Sequence, residues 1–145
     1  MAGAMGHGVL ASLAGTAVMT AFQKFVEMPI TGRDDSYAPA SFAEKVLPIS
    51  PNGPEQRRRL NNATHFALGT LWGTGFAVAS RVGLRGQRAV AAVFAVVYTG
   101  DVLLNTALGL YEPLKWSRKE LAIDLIDKLV QAQATGAAFE RLHRT

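Results

Sequence analysis

Six side chains in this sequence have types and spacing suited to chemistry inside an apolar setting: His65, Asp101, Asn105, Asp124, Asp127 and Gln131. Asp101 is the single charged residue between Ala89 and Tyr111, and Asn105 follows it by four residues, so on a helix the amide reaches the carboxylate. Asp124, Asp127, Lys128, Gln131 and Thr135 recur at three- and four-residue intervals and share one helical face. Lys128, four residues after Asp124, is its expected partner. A charge at the centre of a bilayer costs about 2.5–3.5 kcal/mol on insertion scales, so such groups face a protein interior, a partner or a water-filled space. Two roles satisfy the pattern: an interior track that moves a proton or holds a small polar or cationic ligand, or interhelical hydrogen bonds that fix the register of a bundle.

Other chemistries find no residues to carry them. The chain has no cysteine, which removes disulfides, thiolate metal sites and a thiol nucleophile. His7, His65 and His143 belong to no ligand motif, so neither a metal nor a cofactor is expected. There is no GxSxG elbow, so an enzyme, one acting on lipid, ranks only third behind the two functions given below. Net charge is +4 on 145 residues, but the basic residues are not interleaved with aromatic ones along a single face, which argues against nucleic acid as a partner.

The elements that must position these groups follow from three nearly uncharged runs, Met1 to Gln23, Asn61 to Ser80 and Ala89 to Tyr111. As helices, 20 to 23 residues span about 30 Å, the thickness of a hydrocarbon core. Only 18% of the residues are charged, against the roughly 25% of soluble domains. The second run is the weakest because Gly, Ala and Thr fill much of it, yet Gly69 and Gly73 form a GxxxG pair. In the first run Ala4, Gly8, Ser12, Thr16 and Thr20 repeat every four residues. Such stripes let helix backbones approach closely in lipid, which makes Gly8, Ser12, Gly69 and Gly73 candidate contact residues.

The first two runs are joined by a polar connection broken by Pro29, Pro39, Pro48 and Pro51, in which Ser41 and Glu44 have capping-box spacing. Pro54 suits the first turn of a second long helix. Arg57, Arg58 and Arg59 near its start, and Arg81, Arg85 and Arg88 in the glycine-containing turn after it, are expected at lipid headgroups, where each cation contributes about 1 kcal/mol. Ser117 and Glu120 form a second capping box that opens a last helix, Leu121 to Leu142, long enough either to span with its polar stripe inward or to lie in the interface. The longer connections carry more Lys and Arg, which places them in the cytoplasm, while the dense Arg81 to Arg88 turn pulls the other way.

A run ending in Phe25, Val26, Glu27, Met28 and Pro29, a long polar connection, a second span opening on His65 and Phe66, and a third ending in Ala107 to Gly109 before Pro113 and Trp116 resemble the YagU-like small inner-membrane proteins of bacteria. The resemblance implies an integral protein of the inner membrane, in a family of undefined activity that has been linked to acid tolerance.

The expected protein is therefore all-α: one domain over residues 1–145, a multi-pass transmembrane bundle of four helices in contact with the lipid bilayer. Two functions are expected of it. Either it handles protons or a small polar or cationic solute through a polar interior, as a homo-oligomer because four short helices enclose little space, or it is a non-catalytic accessory subunit docked on a larger membrane complex through its glycine stripes.

Overall fold

The computed structural model describes residues 2–32 and 37–143. Among them the chain is entirely helical, without strands. The first helix, α1 (Ala2–Phe22), widens into a π-helical turn at Gln23–Glu27 and continues as α2 (Met28–Thr31). Pro29 explains the widening: it has no N–H to offer the Phe25 carbonyl, and its ring would collide with that carbonyl in a regular α-helix. Gly32 ends the element in the left-handed region at φ 72°, where its N–H reaches the Met28 carbonyl.

A short helix, α3 (Ala38–Val46), precedes the long α4 (Pro54–Arg81), which begins at the proline that suits a first helical turn. The next helix, α5 (Gly86–Ala107), follows a tight turn through Gly83, at φ 87°, and Gly86, at φ 59°. After a 3₁₀ turn at Pro113–Lys115 comes α6 (Arg118–His143), whose first turn is capped as its sequence indicates, the Ser117 hydroxyl accepting the Glu120 N–H at 3.1 Å. The other proposed box does not form. Ser41 and Glu44 lie inside α3, which starts earlier at Ala38, and both side chains instead bind Arg57.

Helix α1 is the centre of the bundle and packs most extensively on α6 and then on α4. Its small residues are the reason. A Cβ on Gly8 would stand 2.6 Å from the Gly73 carbonyl oxygen, one on Gly69 would strike the Thr16 hydroxyl, and one on Gly15 would strike Thr135. The four-residue stripe of α1 thus faces inward, with Ser12 and Thr16 fully buried. These contacts are all within the chain. The glycine surfaces expected to dock on another protein are occupied by the protein's own helices.

The interior has two halves. Near the α4–α5 turn it is dry, filled by Trp72, Phe76, Val90, Val93, Ala132 and Phe139. Toward the other end it is polar, and Asn105, Asp127 and Gln131 are buried there. Large apolar side chains point outward: Leu10, Leu71, Val78, Val96 and Leu103 are all more than half exposed. Helix α6 follows the same rule, with Leu121, Ile126 and Leu129 outside and Asp127, Gln131 and Thr135 of its polar stripe turned into the bundle against α1.

Two stretches, Gly3–Thr31 and Gly86–Ala107, are long and apolar enough to cross a membrane. The expectation of a third such span in α4 does not hold on that measure: although 28 residues long, α4 opens with three arginines and fills its middle with Gly, Ala and Thr. Helix α6 is likewise diluted by Asp124, Asp127 and Lys128.

Adding a methyl where two backbones touch forces them apart, and overpacking of this kind costs about 1–3 kcal/mol. Gly8→Ala and Gly73→Ala are each expected to lower the thermal denaturation midpoint of the purified protein, followed by circular dichroism. Gly3→Ala, where a Cβ meets nothing within 4 Å, is expected to leave the midpoint unchanged.

Candidate functional site

The polar half of the bundle surrounds a cavity of about 600 Å³. All six side chains singled out from the sequence line it: His65 from α4, Asp101 and Asn105 from α5, and Asp124, Asp127 and Gln131 from α6. They do not form one continuous chain of contacts. Asn105 keeps to its own helix, donating to the Asp101 carboxylate at 3.0 Å and to the Asp101 carbonyl at 2.9 Å. The other hydrogen bonds cross between elements. Gln131 donates to the Thr16 hydroxyl at 2.9 Å, and Gln23, in the π turn, donates to Asp127 at 3.0 Å. Thr20 and the His65 Nε2 lie 3.1 Å apart, and the Tyr98 hydroxyl donates to Asp124 at 2.7 Å.

This last bond corrects the pairing expected of Asp124. Its partner is Tyr98, whereas Lys128, among the described residues, lies in the cavity wall with no carboxylate within 4.0 Å. The reason is direction: Asp124 points toward α5, where a phenol is in reach.

Two carboxylates are only half satisfied. Asp101 Oδ2 and Asp127 Oδ1 are buried without a hydrogen-bond partner, although each residue's other oxygen accepts an amide. A buried polar atom left alone costs on the order of 1–3 kcal/mol and calls for a reason. Here both belong to side chains that line the same cavity.

The wall also contains residues not predicted from the sequence: Thr20, Gln23, Glu27, Trp72 and Tyr111. Thr16, Thr20 and Gln23 do follow a helical face of spacing four and three, which carries a signal, but the stripe read as a helix contact and no more. Tyr111 has no such signal. It lies in the loop after α5, and burial, followed by the fields of Asp101 and Asp124, pushes its phenol above the ordinary value, so it stays protonated and able to donate.

At its outer end the cavity is bordered by α3, through Ala38, Pro39 and Phe42. Arg57 holds this helix in place. Its guanidinium donates to Glu44 at 3.1 and 3.2 Å and to the Ser41 hydroxyl at 3.1 Å, and lies 5.2 Å over the Tyr37 ring. The hydrogen bond to Glu44 raises the Arg57 pKa further above its ordinary value. Arg57 is therefore a clasp within the protein rather than an anchor free for lipid headgroups. Arg58 and Arg59 both pair with Glu55, and Arg58 also borders the cavity. Arg81, Arg85 and Arg88 lie at the opposite end of the bundle, all exposed around the α4–α5 turn. No three His, Cys, Asp or Glu side chains among the described residues are arranged to hold a metal ion.

Fold and site together define an all-helical protein with apolar helices outside and a carboxylate-lined cavity within. No protein-family model, curated protein sequence or solved structure matches the chain.

Because the protein has no cysteine, single thiols can map the cavity on an otherwise unreactive background. Leu68→Cys, in the cavity wall, is expected to react with a small water-soluble thiol reagent in the folded protein. Ala132→Cys, fully buried in the dry half, is expected to react only after denaturation. Mass spectrometry of the labelled protein before and after unfolding checks both.

Proposed function

We propose that this chain is a small multi-pass protein of the inner membrane whose four long helices cross the bilayer and whose cavity binds and passes a small polar or cationic solute, protons included. The observation that carries this reading is the burial of polar groups in one half of the bundle beneath an exterior rich in large apolar side chains. Ser12, Thr16, Asn105, Asp127, Gln131 and Thr135 are buried while Leu10, Leu71, Val78 and Leu103 face outward, an arrangement that water disfavours and lipid favours. Helices α4 and α6 are less apolar than α1 and α5, but Asp127, Gln131 and Thr135 of α6 turn inward and the exposed charges of α4 lie in its first turns and at Arg81, so Leu71, Val78, Ile126 and Leu129 supply much of the surface that the middle of these helices would present to lipid.

A purely structural role for the polar groups is satisfied by the interhelical bonds of Gln131, His65 and Tyr98. It does not account for a 600 Å³ space between them, nor for the second carboxylate oxygens of two residues that line it, Asp101 and Asp127, which are buried without a donor. The oligomer expected from the small space within four helices is not required, since the cavity lies inside one chain. The accessory-subunit reading loses its contact surface, because Gly8, Gly69 and Gly73 are covered by the protein's own helices. The resemblance to YagU-like proteins agrees with the same location and adds no mechanism.

Purified protein reconstituted into vesicles with an internal pH dye is expected to dissipate an imposed proton or cation gradient. Asp101→Asn and Asp127→Asn, both close to isosteric, are expected to reduce that flux to the leak of empty vesicles with an unchanged circular-dichroism melt. Wild-type protein that remains in the soluble fraction without detergent, or that passes no more than empty vesicles, overturns the reading.

A further inference from the structure

The cavity has an apolar side as well as an acidic one. Leu71 on α4 and Val96 and Leu104 on α5 line it while also facing outward, at 54%, 72% and 49% exposure. Helices α4 and α5 meet closely near their turn, where a Cβ on Gly75 would stand 2.9 Å from Val93. Further along, the space between them is wall of the cavity, with Leu68 on one side and Gly100 and Asp101 on the other. An opening bordered by leucine and valine on a lipid-facing surface admits hydrocarbon more readily than a hydrated ion.

The deep wall has the opposite character. Glu27, Asp101, Asp124 and Asp127 line the cavity with Lys24, Arg58 and Lys128; Arg58 is already paired with Glu55, and Lys128 forms no ion pair among the described residues. Asp127 is 5% exposed, with one oxygen held by Gln23 and the other empty-handed, and Asp101 repeats the pattern with Asn105. An ammonium group offers several N–H donors and a charge of the matching sign. Trp72 and Tyr111 in the same wall add aromatic faces of the kind that attract organic cations. Since the acids are not grouped for metal coordination, an organic cation fits the wall better than a divalent ion.

Resting on the function proposed above, we infer that the cavity's ligand is an amphiphilic amine, an ammonium group carried on a hydrocarbon chain, which reaches Asp101 and Asp127 laterally from the bilayer between α4 and α5. The hydrocarbon chain lies along Leu71, Val96 and Leu104, and the ammonium group stands beside the Asp101 and Asp127 side chains, each of which has one buried oxygen without a donor from the protein. A volume of about 600 Å³ is within the range of about 300–1,000 Å³ usual for small-molecule sites.

The test uses full-length protein in nanodiscs of phosphatidylcholine, with Trp116→Phe so that Trp72 is the remaining tryptophan reporter. A long-chain alkylamine bearing a nitroxide on its chain is expected to quench Trp72 saturably. The same chain ending in a hydroxyl is expected to bind about tenfold more weakly or worse, as are alkylamine complexes of Asp101→Asn and Asp127→Asn. Val96→Phe, at an outward-facing position that does not touch the carboxylates, is expected to slow quenching by narrowing the opening. Displacement of the probe by an aminophospholipid identifies a membrane lipid as the natural source of the ammonium, and its absence identifies a single-chain amine; either supports the assignment. Equal binding of the hydroxyl analogue overturns the ammonium assignment, and tight binding of a short, water-soluble amine with no effect of Val96→Phe overturns the lateral route. No alkylamine binding, together with proton flux that depends on Asp101, overturns this inference and leaves the proposed function standing; loss of both removes the two together.

Discussion

The structure depends on how closely α1 approaches its neighbours. At Gly8 and Gly73 the backbones of α1 and α4 touch with no side chain between them, and at Gly15 the backbone of α1 meets Thr135 of α6. Contact of this kind gains dispersion along the whole length of the helices without large apolar side chains. It also keeps the bundle thin where it is dry and fixes the rotation of α1. Once Gly8, Ser12 and Thr16 face inward, the continuation of the same face presents Thr20 and then Gln23 to the space between α4 and α6.

That rotation makes the cavity polar. Gln23 reaches Asp127 from the π turn, a local widening of the helix forced by Pro29, and Thr20 meets His65. Polar groups in an apolar surrounding need partners, and most find one across a helix boundary, which ties the register of the helices to the geometry of the wall. Asp101 and Asp127 are exceptions on one oxygen each. Polar groups buried in one half of the interior beneath an apolar exterior are costly in water and natural in lipid, so the proposed location and the proposed ligand chemistry rest on the same distribution.

Much of this was legible before any coordinates. The helices, the proline at the start of α4, the glycine turn near residue 83, the serine cap of α6 and the grouping of its polar residues on one face follow from local preferences and from periods of three and four residues, which depend on neighbouring residues alone. The six polar residues could be chosen because charge and amide groups stand out in apolar runs. What misled was proximity in sequence. Lys128 is spaced to pair with Asp124, and Ser41 with Glu44, yet a phenol from α5 and a guanidinium from α4 take those partners, because a tertiary contact with better direction outcompetes a neighbour on the same helix.

The sequence by itself determined an all-helical chain, the positions of its breaks, and which faces are small, polar or greasy, since each of these is a property of composition and spacing along one strand of backbone. Only the tertiary structure decided that the glycine stripes meet each other rather than a foreign partner and that Arg57 clasps α3. It alone placed Thr20, Gln23, Trp72 and Tyr111 around Asp101 and Asp127. Which faces meet depends on the relative rotation and translation of whole helices, and those are set by many weak contacts at once, between residues as distant as Gly8 and Gly73.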